Sequence, residues 1–221
     1  MPRRPGLDSA AILQAAVELL DNEGSSALSM GRLAERLGVQ TPSLYNHING
    51  LPDLLRRLAL RNLQELAACM GDAAVGRAGP DALGAVAVAY RAYIKQHPGL
   101  YMASLRASGA GATPDPELAA AEERVVRVVL AVLASLGVHG ADAIHATRGL
   151  RSLVHGFATL EIAGGFGLPL DCDESFGRLV RLFVNGLQTQ GRGEEQTAAS
   201  KKNHKKENKK DRKKERKEQA P

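Results

Sequence analysis

Residues 29–48 read SMGRLAERLGVQTPSLYNHI, and this stretch decides the fold class of the chain. Ser29 and Gly38 bracket one short helix, and Thr41-Pro42 begins a second, because proline at the first helical position loses no hydrogen bond. Gly38 permits the left-handed backbone that a tight turn needs. The pattern predicts a helix-turn-helix whose second helix runs from 41 to 48. The apolar residues of the two helices and the turn between them are spaced to form a small shared core: Leu33, Leu37, Val39, Leu44 and Ile48.

The second helix of this motif has an unusually polar outer face. Only Leu44 and Ile48 need to face inward. The remaining side chains carry hydrogen-bonding groups suited to base edges and phosphates, namely Gln40, Thr41, Ser43, Tyr45, Asn46 and His47. A solvated face with Tyr45 packed locally is the alternative. As a set behind a glycine turn and a Thr-Pro start, these residues favour contact with DNA.

The whole stretch ILQAAVELLDNEGSSALSMGRLAERLGVQTPSLYNHINGLPDLL resembles the DNA-binding domain of TetR-family (tetracycline-repressor-like) transcriptional regulators. The resemblance implies phosphate contacts by Ser29, Arg32, Tyr45 and His47. It places a second group at or near the base edges, namely Gln40, Thr41, Pro42, Ser43 and Asn46. Many family members have a lysine just after the recognition helix. This chain has Asn49-Gly50-Leu51 there, so backbone N–H groups at a helix N-terminus are the expected substitute.

The rest of the chain also reads as helices separated by glycine and proline. Asp8 is a predicted N-cap, and Gly24 a predicted stop, for the first helix. Apolar spacing predicts further helices over 51–70, 81–97, 100–105, 117–136, 141–163 and 174–190. We therefore expect an all-α fold. Residues 1–50 would form a three-helix DNA-binding domain and 51–190 a dimerisation and effector domain of about six helices.

Residues 149–180 resemble a subgroup of the family that is named after a Trp-His-Gly triplet. This chain has Val154-His155-Gly156 at that point, so the tryptophan ring is missing.

The last two predicted helices carry a wide apolar stripe. A symmetric dimer matches DNA half-sites that lie one helical turn apart, and two helices from each chain could form a four-helix bundle between copies. The alternative is that these residues fill the core of one chain. The predicted interface comprises Leu150, Val154, Phe157, Phe176, Leu179, Val180, Phe183, Val184 and Leu187.

An aromatic and polar cluster predicts a small-molecule site. Three of the four tyrosines fall close together, beside a histidine and a methionine, which suits an effector pocket but also suits an ordinary core. The candidate pocket residues are Tyr90, Tyr93, His97, Tyr101, Met102, His155 and Phe157. By family resemblance, an unidentified effector would favour a dimer whose recognition helices are wrongly spaced for the operator.

Charge is divided unevenly along the chain. Residues 191–221 hold 12 Lys and Arg against 6 Asp and Glu, which leaves 17 basic and 18 acidic residues in the remainder. The lysine-rich segment KKNHKKENKKDRKKERKE has no apolar residue to bury, so we expect a disordered tail. It is either simply solvated or a sequence-independent clamp on nucleic acid; contact with an anionic membrane surface is a weaker option.

Enzyme and membrane functions find little support in the sequence. No nucleotide loop, nucleophile motif or helical pair of metal-binding histidines is present, so we expect no catalysis, metal or cofactor. No signal peptide or run of 18 apolar residues is apparent, so we expect a cytoplasmic protein, associated with the nucleoid when bound to DNA. The sequence predicts a ligand-responsive homodimeric repressor that binds a double-stranded palindromic operator. The alternative is a sequence-tolerant, architectural DNA-binding protein driven by the basic tail.

Overall fold

The computed structural model describes residues 7–107 and 115–189, and these two ranges form nine α-helices and no strand. The all-α prediction is confirmed, with three helices in the N-terminal part and six after it. The predicted tail, 191–221, lies outside the described residues. The helices are α1 (Ser9–Glu23), α2 (Met30–Leu37), α3 (Thr41–Leu44), α4 (Gly50–Ala74), α5 (Gly79–Gln96), α6 (Pro98–Ala107), α7 (Pro116–Ser135), α8 (Gly140–Ile162) and α9 (172–189).

Side-chain caps fix the first two helices where the sequence predicts them. The Asp8 carboxylate accepts the N–H of Ala11 at 2.7 Å and begins α1. The Ser29 hydroxyl oxygen accepts the N–H of Arg32 at 3.2 Å and begins α2. Gly38 ends α2 with φ 66° and ψ 33°, the left-handed conformation that glycine adopts without strain.

Helix α3 is shorter than the predicted helix over 41–48. Regular α-helix ends at Leu44, and the N–H groups of Tyr45 and His47 then donate to carbonyl oxygens three residues back, at 3.2 and 3.0 Å. Such tighter bonds commonly close a helix end. Because α4 begins at Gly50, the chain has little length in which to turn, and the tightened segment brings Ile48 into the core.

Two hydrophobic clusters fill the protein, and α4 and α6 contribute to both. The N-terminal cluster packs α1, α2 and α3 against Leu54 and Leu58 of α4. The C-terminal cluster packs the later part of α4 against α5, α7, α8 and α9. On α6, Leu100 belongs to the first cluster and Tyr101 to the second. The division of the chain at residue 50 stays a prediction, since the N-terminal cluster also includes residues beyond it.

Helix α6 lies directly against the end of α1. A Cβ atom on Gly99 would overlap the carbonyl oxygen of Leu20, so only glycine fits this contact. The neighbouring Asp21 carboxylate accepts the backbone N–H of Leu100 at 2.9 Å and lies 3.1 Å from Nδ1 of His97. These contacts fasten α6 to the helix that precedes the helix-turn-helix.

A buried cation joins α5 to α8 and α9. The Arg91 guanidinium donates to both carboxylate oxygens of Glu161, at 2.7 and 2.8 Å, and to Asp173 at 2.7 Å. Its carbon lies 5.3 Å from the ring centre of Phe157 and 4.9 Å from that of Phe176. Full pairing and stacking compensate the cost of burying this charge.

Within residues 7–107 and 115–189, no single helix has the length and apolarity to cross a bilayer. One bent pair, α7 with α8, meets these criteria only when the two helices are taken together, and they turn by 118° between them.

Gly99→Ala should destabilise the protein by about 2 kcal/mol or more, because the added methyl group overlaps backbone that cannot rotate away. Gly84→Ala is the matched control: no heavy atom lies within 4 Å of its added Cβ, and alanine should stabilise α5 by about 0.5–1 kcal/mol. Urea unfolding of both variants measures the difference. Equal stability of the two variants would contradict the close contact of α6 with α1.

Candidate functional site

The outer surface of α3 and the turn after it forms the first candidate site. Gln40, Pro42, Tyr45 and Asn46 are exposed, and Tyr45 retains 54% of its accessible surface. Beneath them, Leu44 and Ile48 are buried in the N-terminal cluster. Thr41, Ser43 and His47 are half-buried at the edge of the same surface. The structure thus gathers the predicted DNA-contacting side chains on one rigidly anchored surface.

The two predicted phosphate contacts on α2 are already engaged within the chain. Ser29 uses its hydroxyl oxygen as the N-cap acceptor, and its side chain stays exposed. The Arg32 guanidinium pairs with Glu23. Arg36 pairs with Glu18 at 2.8 Å, and this hydrogen bond lowers the pKa of the Glu18 carboxyl. The α1–α2 surface therefore carries arginines whose charge is largely balanced by carboxylates.

The N-terminus of α4 fits a phosphate less well than the sequence predicts. The Asp53 carboxylate accepts the N–H of Asn49 at 2.9 Å and pairs with Arg57 at 3.0 Å. Pro52, in the first turn, has no N–H to offer. A carboxylate thus occupies the position where backbone donors were expected to replace the missing lysine.

A cavity of about 360 Å³ lies among α4, α5, α6, α7 and α8 and forms the second candidate site. Tyr90 of α5 and Tyr101 of α6 line it, as predicted for pocket residues. Much of the remaining wall is aliphatic and was not predicted as pocket lining: Leu63, Leu66, Met70, Val125, Val126, Val129 and Leu150. Polar groups also missed from the sequence are Asn62, Ser104, Glu122, Thr147 and Arg151.

Five predicted pocket residues lie outside this lining. The Tyr93 hydroxyl donates to the backbone oxygen of Asn62 and to Glu65, both at 3.3 Å. His97 contacts Asp21 instead. Met102 is exposed. His155 lies within hydrogen-bonding distance of the Tyr101 hydroxyl, and the Phe157 ring packs against two other aromatic rings. Proximity in sequence does not predict which residues line the cavity here, because neighbouring helical positions face different sides of α5 and α6.

A chain of hydrogen bonds crosses the cavity wall. The hydroxyl oxygens of Tyr90 and Tyr101 are 2.9 Å apart, and that of Tyr101 lies 3.2 Å from Nδ1 of His155. Burial raises the pKa of both phenols and lowers the pKa of His155, with Arg151 lowering the histidine value further. All three groups therefore stay uncharged near pH 7.

Comparison with known proteins identifies both halves of the molecule. Residues 12–50 match the model for bacterial regulatory proteins of the tetR family, and residues 83–183 match that for the tetracyclin repressor-like C-terminal domain. An uncharacterised HTH-type transcriptional regulator of Mycobacterium tuberculosis is 36% identical over 182 residues, 82% of either chain. The chain belongs to the TetR family of transcriptional regulators. The finer resemblance of 149–180 to the Trp-His-Gly subgroup stays a prediction.

Solved structures share the fold of this TetR-family regulator. A Rhodococcus protein of unknown function has a TM-score of 0.71 at 25% identity, covering 85% of this chain and 99% of its own. A single-residue variant of TetR from Acinetobacter baumannii, solved in complex with minocycline, has a TM-score of 0.62 at 24% identity. That match covers 83% of this chain and 98% of the other.

The predicted dimer interface of the regulator is mostly internal. Five of the nine residues are buried in the C-terminal cluster of one chain and cannot themselves form a contact surface: Leu150, Val154, Phe176, Val180 and Val184. Phe157, Leu179, Phe183 and Leu187 are half-buried. The stripe is wide because α9 must pack against its own chain. Exposed apolar side chains on the same helices and their connection are Ile144, Leu160, Ile162, Phe166, Leu168, Leu170 and Leu182.

Among the residues the structure describes, no group of three or more His, Cys, Asp or Glu side chains is arranged to hold a metal ion.

Tyr101→Phe should destabilise the protein by about 1–2 kcal/mol, because it leaves both the Tyr90 hydroxyl and His155 without this partner. Tyr90→Phe should cost less, and the double variant less than the sum of the two. Tyr45→Phe, at an exposed position, is the control and should change stability by less than about 0.5 kcal/mol. Urea unfolding measures all four variants; strictly additive losses would show that the two hydroxyls are not coupled.

Proposed function

We propose that this regulator is a small-molecule-responsive homodimeric repressor that binds a palindromic operator through α3. The observation that carries the proposal is the exposed surface of Gln40, Pro42, Tyr45 and Asn46 above buried Leu44; three of these four side chains carry hydrogen-bonding groups. A surface of hydrogen-bonding groups on a firmly packed helix start suits the major groove, where base edges present distinct donors and acceptors. In this proposal Ser29, Arg32, Tyr45 and His47 contact phosphates. The residues at or near the base edges are Gln40, Thr41, Pro42, Ser43 and Asn46.

The affinity of this surface for DNA must come from the positions of its hydrogen-bonding groups rather than from its net charge. Arg32 and Arg36 are paired with carboxylates, so the α1–α2 surface lacks a broad positive field. Arg32 remains half exposed and could exchange Glu23 for a phosphate oxygen at little electrostatic cost. Sequence-specific hydrogen bonds therefore contribute more to this interface than counterion release does, unless the lysine-rich tail adds to it.

Operator recognition requires two copies, because half-sites are about 34 Å apart on one face of the duplex. The outer faces of α8 and α9 are the proposed contact. Leu182 on α9 is 69% exposed, and Leu160 and Ile162 on α8 are also exposed. Exposed apolar side chains on two neighbouring helices are typical of an interface with another protein. A second copy placed across a two-fold axis would cover them and form the four-helix bundle.

Effector control is supported by the position of α6 between the cavity and the DNA-binding helices. Tyr101 and Ser104 line the cavity, whereas Gly99 and Leu100 of the same helix contact α1. A ligand that shifts α6 must move α1 with it, because the contact at Gly99 leaves no free space. The ligand-bound population then holds the two recognition helices at a spacing that the operator does not match.

The alternative, a sequence-tolerant DNA-binding protein driven by residues 191–221, remains open to test. Both proposals concern a non-enzymatic cytoplasmic protein. They differ in selectivity and in salt dependence, since binding by lysines weakens steeply as salt rises and ignores sequence.

Binding of the purified protein to its own upstream DNA, with random duplex as competitor at two salt concentrations, tests the proposal. Gln40→Ala should weaken operator binding about fivefold to a hundredfold, because it removes a base-edge contact. The side chain makes no cap hydrogen bond, so stability should stay within about 0.5 kcal/mol. Gln96→Ala, an exposed position at the end of α5, is the matched control and should bind normally.

The same assay without residues 191–221 separates the two functions. Selective binding by the truncated protein supports operator recognition by α3. Loss of all binding with the tail, or equal affinity for random duplex, would overturn the repressor proposal in favour of the architectural one.

Leu182→Glu should convert the dimer to monomer, since a charge replaces an exposed apolar side chain at the proposed interface. Val88→Glu is the control, because Val88 is similarly exposed but lies on α5. Analytical ultracentrifugation reports the mass of each variant. A Leu182→Glu protein that stays dimeric would refute this interface.

A further inference from the structure

The cavity wall contains one buried polar atom that the fold leaves unsatisfied. Asn62 of α4 is 2% exposed and lines the cavity, and no donor in the described residues bonds its side-chain oxygen. A buried carbonyl without a hydrogen bond destabilises the fold, because it has lost its hydration without a replacement partner. Its backbone is held in place, because the Tyr93 hydroxyl donates to the Asn62 carbonyl oxygen at 3.3 Å. The Asn62 side chain is therefore anchored in the cavity wall, and its amide oxygen accepts no hydrogen bond from the described residues.

Other polar groups of the wall have partners within the chain. The Tyr90 and Tyr101 hydroxyls bond each other at 2.9 Å. The Ser104 hydroxyl donates to the backbone oxygen of Tyr101 at 2.8 Å, and the Thr147 hydroxyl donates to that of Ala143 at 2.7 Å. Asn62 thus differs from these residues, because its side-chain oxygen accepts no hydrogen bond from the described residues.

The cavity wall carries one acidic and one basic side chain, and both lie at the protein surface. Glu122 of α7 and Arg151 of α8 are the charged lining residues, of opposite sign, and both occupy exposed positions. The buried lining groups are neutral, since Tyr90 and Tyr101 stay protonated near pH 7. An ionised ligand would lose its hydration without gaining a buried counterion.

We propose that the cavity binds an uncharged, largely apolar molecule whose hydroxyl or amide N–H donates a hydrogen bond to the Asn62 side chain. The aliphatic wall accommodates the apolar body, and the volume of about 360 Å³ falls within the range of small-molecule pockets. Rotation of the carboxamide about its terminal bond can turn the oxygen toward the ligand. The role of this molecule as effector rests on the proposed function; its chemistry rests on the cavity alone.

Two isomeric probes test directly whether the ligand donates a hydrogen bond. Octan-1-ol and 1-methoxyheptane have the same atoms, but only the alcohol can donate a hydrogen bond. Isothermal titration calorimetry of the full chain should show the alcohol binding about fivefold to tenfold more tightly than the ether, the contribution of one net hydrogen bond. Octanoate and octylammonium, of matched chain length, should bind more weakly than the alcohol.

Asn62→Leu should abolish the preference for the alcohol, because an apolar side chain of similar size removes the acceptor. Asn22→Leu, an exposed position on α1 away from the cavity, is the matched control and should keep the preference. The comparison of probes on the unmodified protein needs no variant, so it stands even if Asn62→Leu fails to fold.

Equal affinity for alcohol and ether, tighter binding of either ion, or no binding of any probe would overturn the proposed ligand chemistry. Retention of the alcohol preference in a folded Asn62→Leu protein would overturn the role of Asn62. Because calorimetry is done without DNA, these outcomes are independent of the repressor proposal. Alcohol binding that leaves operator affinity unchanged would support the ligand chemistry and refute the effector role.

Discussion

The contact between α6 and the end of α1 is the constraint on which the rest of the molecule depends. Gly99 lies against the backbone of Leu20 with no room for a side chain, and Asp21 accepts the N–H of Leu100. The opposite side of α6 forms part of the cavity wall through Tyr101. A helix fixed at one side by backbone contact, and exposed to a ligand at the other, transmits displacement because packed interiors deform little. The proposed switch follows from this arrangement.

Two buried polar groups of the C-terminal helices, the Arg91 guanidinium and the Asn62 side-chain oxygen, differ in their hydrogen bonding. The Arg91 guanidinium is paired with Glu161 and Asp173 and packs against the rings of Phe157 and Phe176, so its charge is compensated. The Asn62 side-chain oxygen, in the cavity wall, accepts no hydrogen bond from any residue that the structure describes. A satisfied cluster holds α5, α8 and α9 together, whereas an unsatisfied group leaves hydrogen-bonding capacity for a ligand. This contrast is the basis of the proposed ligand chemistry.

In the proposed complex with DNA, binding by the helix-turn-helix surface depends on shape and hydrogen bonding more than on charge. Arg32 and Arg36 are balanced by Glu23 and Glu18, and a carboxylate stands at the N-terminus of α4. Such a surface has weak attraction for DNA of arbitrary sequence, which favours discrimination between sites. The surplus of positive charge in the sequence falls in the lysine-rich tail.

The sequence by itself determined the elements whose signals are local. The caps at Asp8 and Ser29, the glycine turn at Gly38 and the helical spacing of leucines each act within a few residues, so the all-α fold and the helix-turn-helix could be predicted. Only the tertiary structure decided which faces meet. It buried Val180 inside one chain rather than at an interface, and it built the cavity from helices far apart in sequence, because a helix's apolar stripe does not specify its partner.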